Sequence, residues 1–268
     1  MFLNQMRNTF FVICATLLFA SCSEYQKVLK SEDMGAKYSM ADSLYQAGKY
    51  KKALKLWDQI VPSYRGKPQA ERVMYLYADT YYQIGDNYLA GYQFDRFVSS
   101  YPDSEKSEDA AYKAAVSNYE LSPRYSLDQG ETEKALDKLQ TFIGKYPESE
   151  HADEAIEKIN ELSSKLQKKA FEIAKQYNTI SIYTSAISAF DDFISDYPGS
   201  QYREAAFFYK FDSQYEYAIR SLDVLVEERL NEALSMYNAL IRYYPEGEYR
   251  AQADEMKADI DQRLQQYL

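Results

Sequence analysis

Apolar positions in this chain recur at helical spacing. Val73, Leu76, Tyr77, Tyr81 and Ile84 fall at i, i+3, i+4, i+8 and i+11, and Ala90, Phe94, Phe97, Val98 and Tyr101 form a similar stripe in the next segment. Such stripes place apolar side chains on one face of an α-helix and predict amphipathic helices buried along that face. No strand signal of any length competes with them.

The helical segments are separated by a recurring break. Tyr101-Pro102-Asp103-Ser104, Tyr146-Pro147-Glu148-Ser149, Tyr197-Pro198-Gly199-Ser200 and Tyr244-Pro245-Glu246-Gly247 place their prolines 45, 51 and 47 residues apart, and Val61-Pro62-Ser63-Tyr64 reads as a degenerate first copy. Proline cannot continue a helix, so a helix ends at or before the preceding tyrosine. Ser104, Ser149 and Ser200 are then expected as N-caps of the following helices. The acids after them, among them Glu105, Glu108, Asp153, Glu154 and Glu204, suit the positive end of a helix.

Recurrence at this length signals a helical repeat array. Gly48-Lys49-Tyr50 before Ala53, Leu54 and Trp57 is the helix–turn–helix signature of tetratricopeptide repeats, with Gly85-Asp86-Asn87-Tyr88 and Gly130-Glu131 in the same role later. The small Ala53 lets paired helices approach closely, and Gly48 breaks the chain between them. Residues 34–268 are therefore expected to form an all-α, right-handed solenoid of about five tetratricopeptide-like helix pairs. A final helix from about Tyr249 to Tyr267 carries Gln252, Glu255, Asp259, Gln262 and Gln265 and suits a terminal cap. Glu150 to Tyr177 has no Gly or Pro and predicts a helix of about 40 Å. The turn after it, Asn178-Thr179-Ile180-Ser181, has no glycine.

The N-terminus follows a different pattern. Arg7 precedes the apolar run Phe10 to Phe19, then Ala20-Ser21-Cys22. A basic start, a short apolar run and small residues at a cleavage point make residues 1–21 a secretory signal peptide. Ten apolar residues are too few for a bilayer, which needs about 20. Leu18-Phe19-Ala20-Ser21-Cys22 resembles a bacterial lipobox, with Phe19 where leucine is usual. Cys22 is thus expected to be the acylated N-terminus of an envelope lipoprotein anchored in the membrane by its lipid. No cysteine follows it, so the mature chain has no intramolecular disulfide. Residues 22–33 are then an acylated start and a tether, reaching at most roughly 35–40 Å when extended.

Composition narrows the function. A net charge of −10 argues against nucleic acid as a partner. His151 is the only histidine, a poor start for a zinc site or an oriented triad, and no glycine-rich phosphate loop or nucleophile elbow is present. No enzyme activity, cofactor or metal is expected. The 28 tyrosines stand out. Tyr75, Asp79 and Tyr82 share a second face of one helix, and Tyr88 and Tyr92 form a pair on the next. They make either an aromatic groove for a peptide with apolar anchors or packing between neighbouring repeats, which aromatic stripes at helical spacing more often are.

In order along the chain, Cys22 with its lipobox, Tyr25-x-x-x-Leu29, Gly48-Lys49-Tyr50-x-x-Ala53 and Tyr101-Pro102-Asp103-Ser104 resemble one family. So do Ser122-Pro123-Arg124-Tyr125-x-x-Asp128-Gln129 and Tyr146-Pro147-Glu148-Ser149-Glu150-His151-Ala152. The family is BamD (also called ComL), the lipoprotein of the machinery that inserts β-barrels into the outer membrane. The resemblance implies a non-catalytic scaffold on the periplasmic side. Its amino-terminal repeats would capture unfolded outer-membrane proteins, and its carboxy-terminal repeats would dock the periplasmic domains of the barrel-forming subunit. The glycine-poor fourth turn and the high tyrosine content depart from the family. A lipoprotein binding a small ligand or glycan on stacked tyrosines is the alternative.

Overall fold

The computed structural model describes residues 24–267. The expected leader and Cys22 lie outside them. The described chain is all helical and falls into two compact units, one reaching to Ser122 and including Gly130–Ile159, the other comprising Pro123–Gln129 and Asn160–Leu268.

The first unit holds α1 (Met34–Gln46), α2 (Tyr50–Tyr64), α3 (Ala70–Ile84), α4 (Asn87–Ser100), α5 (Ser107–Glu120) and α6 (Gly130–Lys145). Each packs on the next, as in a solenoid of helix pairs. The alternation of small and large residues explains the fit. Ala41, Ala53, Leu56, Trp57, Ile60, Val73 and Leu76 form one core, and Ala78, Tyr81, Ala90, Phe94, Phe97, Ala110 and Ala114 the next. Alanines at the crossings let the helices approach, while each buried Leu, Ile or Phe contributes about 1.5–3 kcal/mol relative to exposure.

The 28-residue helix α7 (Ala152–Thr179) gives its first two turns to the first unit and the remainder to the second. The second unit continues with α8 (Tyr183–Asp196), α9 (Arg203–Ile219), α10 (Asp223–Tyr243) and α11 (Arg250–Leu264). Phe171, Ala174, Ala186, Phe190, Phe193 and Ala206 form its first core, and a second is built around Phe208, Phe211, Leu230 and Leu240. α11 buries Ala253 and Ile260 and leaves Gln252, Glu255 and Gln262 exposed, as a terminal cap does. From Met34 on, the described helices thus form the expected five pairs and a last helix.

The Tyr-Pro breaks share one construction. Ser104, Ser149, Ser200 and Gly247 each donate their N–H to the carbonyl of the tyrosine three residues back, and their own carbonyls accept from Ser107, Ala152, Arg203 and Arg250. Two tight turns follow one another before each helix starts. The serines are not helix N-caps, contrary to expectation. Their hydroxyls accept from the N–H two residues on, at Lys106, His151 and Tyr202, one turn before the helix proper. A serine that closes the first turn is too early in the chain to reach N2 or N3 of the helix.

Two other expectations change, at Pro62 and at the tether, and the turn without glycine holds. Pro62 lies inside α2, which runs on to Tyr64. Val61 and Tyr64 pack on the Trp57 core and carry the last turn past the proline, with Tyr64 stacked on Tyr38 at 5.7 Å. The glycine-poor turn after α7 closes like its glycine counterparts. Ser181 adopts φ 62, beside Gly48 at 69 and Gly85 at 82. At all three the N–H after the left-handed residue returns to the carbonyl five residues back: Ile182 to Tyr177, Lys49 to Leu44, Asp86 to Tyr81. Lastly, the stretch expected as a tether is folded from Glu24 on. Residues 24–30 are helical, Tyr25 is buried, and its hydroxyl donates to the Lys52 carbonyl at 3.3 Å. Val28 and Leu29 pack on the Trp57 core, which apolar side chains favour over an extended, solvated chain.

Candidate functional site

Tyr75, Asp79 and Tyr82 all lie on α3, but they face neighbouring helices. Asp79 is 1% exposed. Its carboxylate accepts from the Tyr45 hydroxyl of α1 at 2.5 Å, from Lys113 Nζ of α5 at 2.7 Å and from Gln83 at 3.3 Å. Tyr75 donates to Asp109 and accepts from Lys113 at 2.9 Å, with its ring edge-on to Phe94 and Phe97. Tyr82 lies edge-on to Phe94. Tyr45, Tyr75, Asp79, Asp109 and Lys113 therefore form one network across three first helices.

The electrostatics follow from this closure. Burial alone would lower the Lys113 pKa, but the hydrogen bonds to Asp79 and Tyr75 and the charges of Asp79 and Asp109 outweigh it and raise the value. Burial, then the hydrogen bond to Asp109, pushes Tyr75 up to about 12. Both shifts move away from neutrality, so Lys113 keeps its charge and Tyr75 its proton at physiological pH. The network sets helix register.

Its spacing is regular. The Tyr45–Asp79, Asp79–Lys113 and Tyr75–Asp109 contacts each join residues 34 apart. This is the period of a tetratricopeptide repeat, hidden in the sequence by the longer spacing of the Tyr-Pro breaks. Tyr45, Asp109 and Lys113 were not singled out in the sequence. The signal that would have found them is a tyrosine, acid or lysine 34 positions from Tyr75 or Asp79.

Tyr88 and Tyr92 are placed differently. They are 71% and 55% exposed on α4, and the Arg96 guanidinium lies 5.7 Å from the Tyr92 ring centroid. Tyr88, Tyr92 and Arg96 thus share one outer face at i, i+4 and i+8. Nearby, Lys138 of α6 pairs with Asp95 at 2.8 Å. Of the five residues read as a candidate binding surface, α4 presents two to solvent and α3 turns three inward.

His151 is half-buried just before α7. Its ring stacks on Tyr112 at 4.0 Å with an interplanar angle of 3°, and its Nε2 lies 3.8 Å from Glu150. Among the described residues no group of three or more His, Cys, Asp or Glu could hold a metal ion, and no helix is long and apolar enough to cross a membrane.

The family model described as "YfiO: Outer membrane lipoprotein" matches residues 30–223. No curated protein matches the chain significantly. Among solved structures, the TPR2AB domain of yeast Sti1 in its pHSP90 complex is 13% identical, covering 85% of this chain and 98% of that one with a TM-score of 0.37. A tetratricopeptide repeat protein from Parabacteroides merdae is 15% identical over 89% of this chain and 72% of that one, with a TM-score of 0.33. MamA protein is 16% identical over 82% and 94%, with a TM-score of 0.32. The helix pairing within each unit, not these superpositions, defines the fold.

Proposed function

The chain belongs to the YfiO family of outer membrane lipoproteins, and on that premise we propose that it is a non-catalytic scaffold of the outer-membrane β-barrel assembly machinery, acylated at Cys22 and facing the periplasm. The observation that carries this reading is the family match over residues 30–223. The helical-repeat architecture supports it, because paired helices offer long continuous surfaces to a polypeptide. The first unit takes unfolded barrel proteins through Tyr88 and Tyr92, rigid aromatic side chains that bury large area at low entropic cost. Tyr75, Asp79 and Tyr82 serve that surface indirectly, by fixing α3 against the α4 helix that carries it. The second unit docks the periplasmic domains of the barrel-forming subunit.

The experiment is affinity purification of the tagged full chain from detergent-solubilised membranes, with partners identified by mass spectrometry. Recovery of the barrel-forming subunit is expected, and its absence under conditions that preserve other envelope complexes would sink the assembly role. A Tyr88→Ala/Tyr92→Ala double variant should bind a urea-unfolded outer-membrane protein about tenfold more weakly while keeping its helicity and the subunit. Cys22→Ser should leave the membrane fraction or retain its leader. Normal retention with the leader removed would refute acyl anchoring.

A further inference from the structure

In the second unit, loop 123–129 lies against the middle of α7 and leaves a cleft of about 540 Å³. Tyr125, Ser126, Lys169, Glu172, Ile173, Lys175, Gln176 and Thr179 line it. The loop wall is held in shape from within. The buried Gln129 amide donates to the carbonyls of Arg124, Leu127 and Asp128, and Lys169 Nζ donates to the Leu127 carbonyl at 2.5 Å. The cleft is therefore preformed, and a ligand entering it orders little of the protein.

We propose that this cleft binds an extended acidic segment of a partner protein. The first argument is charge. Lys168 sits over the Tyr125 ring at 4.4 Å and Lys175 over the Tyr209 ring at 4.8 Å, while Lys169 reaches a backbone carbonyl. Among the described residues none of the three ammonium groups is ion-paired with a carboxylate. Glu172 is the one acid lining the cleft, so a net positive patch stands on a chain whose overall charge is −10. An ammonium has three donors, and Lys169 spends one of them on Leu127.

The second argument is shape. On the α7 surface Lys168, Glu172, Lys175 and Thr179 form one row, and Lys169, Ile173 and Gln176 the adjacent row. From Lys168 to Thr179 the rows run about 16 Å, which about five residues of extended chain would match. Lys169 and Lys175 are separated by about 9 Å along the axis, the distance spanned by carboxylates two to three residues apart in such a chain. Ile173, 43% exposed, lies between them and offers an apolar contact. A single small anion would engage one end only. The match is to a strand-like segment whose acids, all on one side, face Lys169 and Lys175. This goes beyond the assembly role and stands without it.

The test uses the full-length lipoprotein in detergent and fluorescence anisotropy with a labelled peptide, Ser-Asp-Leu-Asp-Leu-Asp-Ser, against its counterpart with Asn for each Asp. The acidic peptide should bind at least about tenfold more tightly, and the difference should shrink as salt is raised. Lys175→Glu should weaken binding about tenfold or more with an unchanged melting curve. Glu172→Gln should tighten it about twofold to fivefold, a gain that no folding defect would produce. Equal binding of the two peptides, or no binding of either, would overturn the proposal. So would adsorption of phosphatidylglycerol vesicles that Lys175→Glu abolishes without any peptide binding, which would give the cleft to a lipid headgroup.

Discussion

Between the first helices of neighbouring pairs, the first unit joins carboxylates through a buried ammonium, whereas the second adds stacked rings to single carboxylate contacts, Asp212 with Asn178 and Asp259 with Tyr215. Tyr45, Asp79, Lys113, Tyr75 and Asp109 tie α1, α3 and α5 together through carboxylates and an ammonium. In the second unit the contacts at the same separation of 34 residues are Asn178 to Asp212 at 2.8 Å and the Lys175 ammonium over the Tyr209 ring at 4.8 Å. In the same unit Phe171 stacks on Tyr202, just before α9, at 5.2 Å, and Phe208 on Tyr249, just before α11, at 4.5 Å. One register is thus held by two chemistries. Buried hydrogen-bonded charges fit one alignment and leave an unpaired ion in any other, whereas stacked rings adapt to small slips. The repeat geometry dictates where contacts fall and leaves open what makes them.

The largest expected effect tests the aromatic side. Phe208→Ala removes a fully buried ring and should cost about 3–5 kcal/mol, read by urea unfolding, with lost amide protection confined to the second unit. An effect spread evenly over both units would break the comparison. Lys113→Ala strands the buried Asp79 carboxylate and should cost about 3 kcal/mol. The double variant Lys113→Met/Asp79→Leu should recover most of that, since a buried ion pair is often replaceable by apolar residues of similar volume. Failure to recover would show that the network carries more than its own desolvation.

Alkaline titration distinguishes the units next. Tyr75 in the first unit is raised to about 12 by burial and then by Asp109, and Tyr215 in the second to about 12 by burial and then by its 2.7 Å bond to Asp259. A tyrosine raised in the fold stays protonated while the unfolded chain ionises near pH 10. Its contribution is therefore complete below pH 10 and lost as pH rises toward 12. Burial also raises Tyr45, Tyr77 and Tyr112 in the first unit, against Tyr237 and Tyr249 in the second, so the first unit, with more raised tyrosines, should loosen first. Tyrosinate absorbance and helical circular dichroism followed together would show this, and ionisation at pH 10 with helicity intact would contradict it. The smallest effect concerns Ser181, held at positive φ without a glycine. Ser181→Gly should stabilise by about 0.5 kcal/mol, less because the Tyr183 hydroxyl loses its 3.1 Å partner. A loss of stability in thermal melts would mean that this hydrogen bond outweighs the relief of backbone strain.

Much of the fold was legible because its signals are local. Proline at 102, 147, 198 and 245 ends a helix whatever surrounds it, and the stripe from Val73 to Ile84 needs only its own period. Gly48 and Gly85 announce their turns, whereas Ser181 reaches the same backbone region through hydrogen bonds that no single residue reveals. The candidate surface was half legible for the same reason. Periodicity places Tyr75, Asp79 and Tyr82 on one face of α3, but whether that face meets solvent depends on Tyr45 and Lys113, each 34 residues from Asp79. The α7 cleft was illegible, since loop 123–129 reaches its wall only in three dimensions.

The docked helix at residues 24–30 changes what an anchor at Cys22 would mean. A leash of eleven residues would let the body roam, whereas only Ser23 separates Cys22 from the folded chain, a reach of about 7 Å. The volume swept about the attachment point falls with the cube of that reach, by on the order of a hundredfold. Any neighbour fixed in the same membrane would then meet the protein at a correspondingly higher effective concentration, or, if its site lay farther out, not at all. Acylation would act as a pivot, and the choice of partner would be made in part by height above the bilayer.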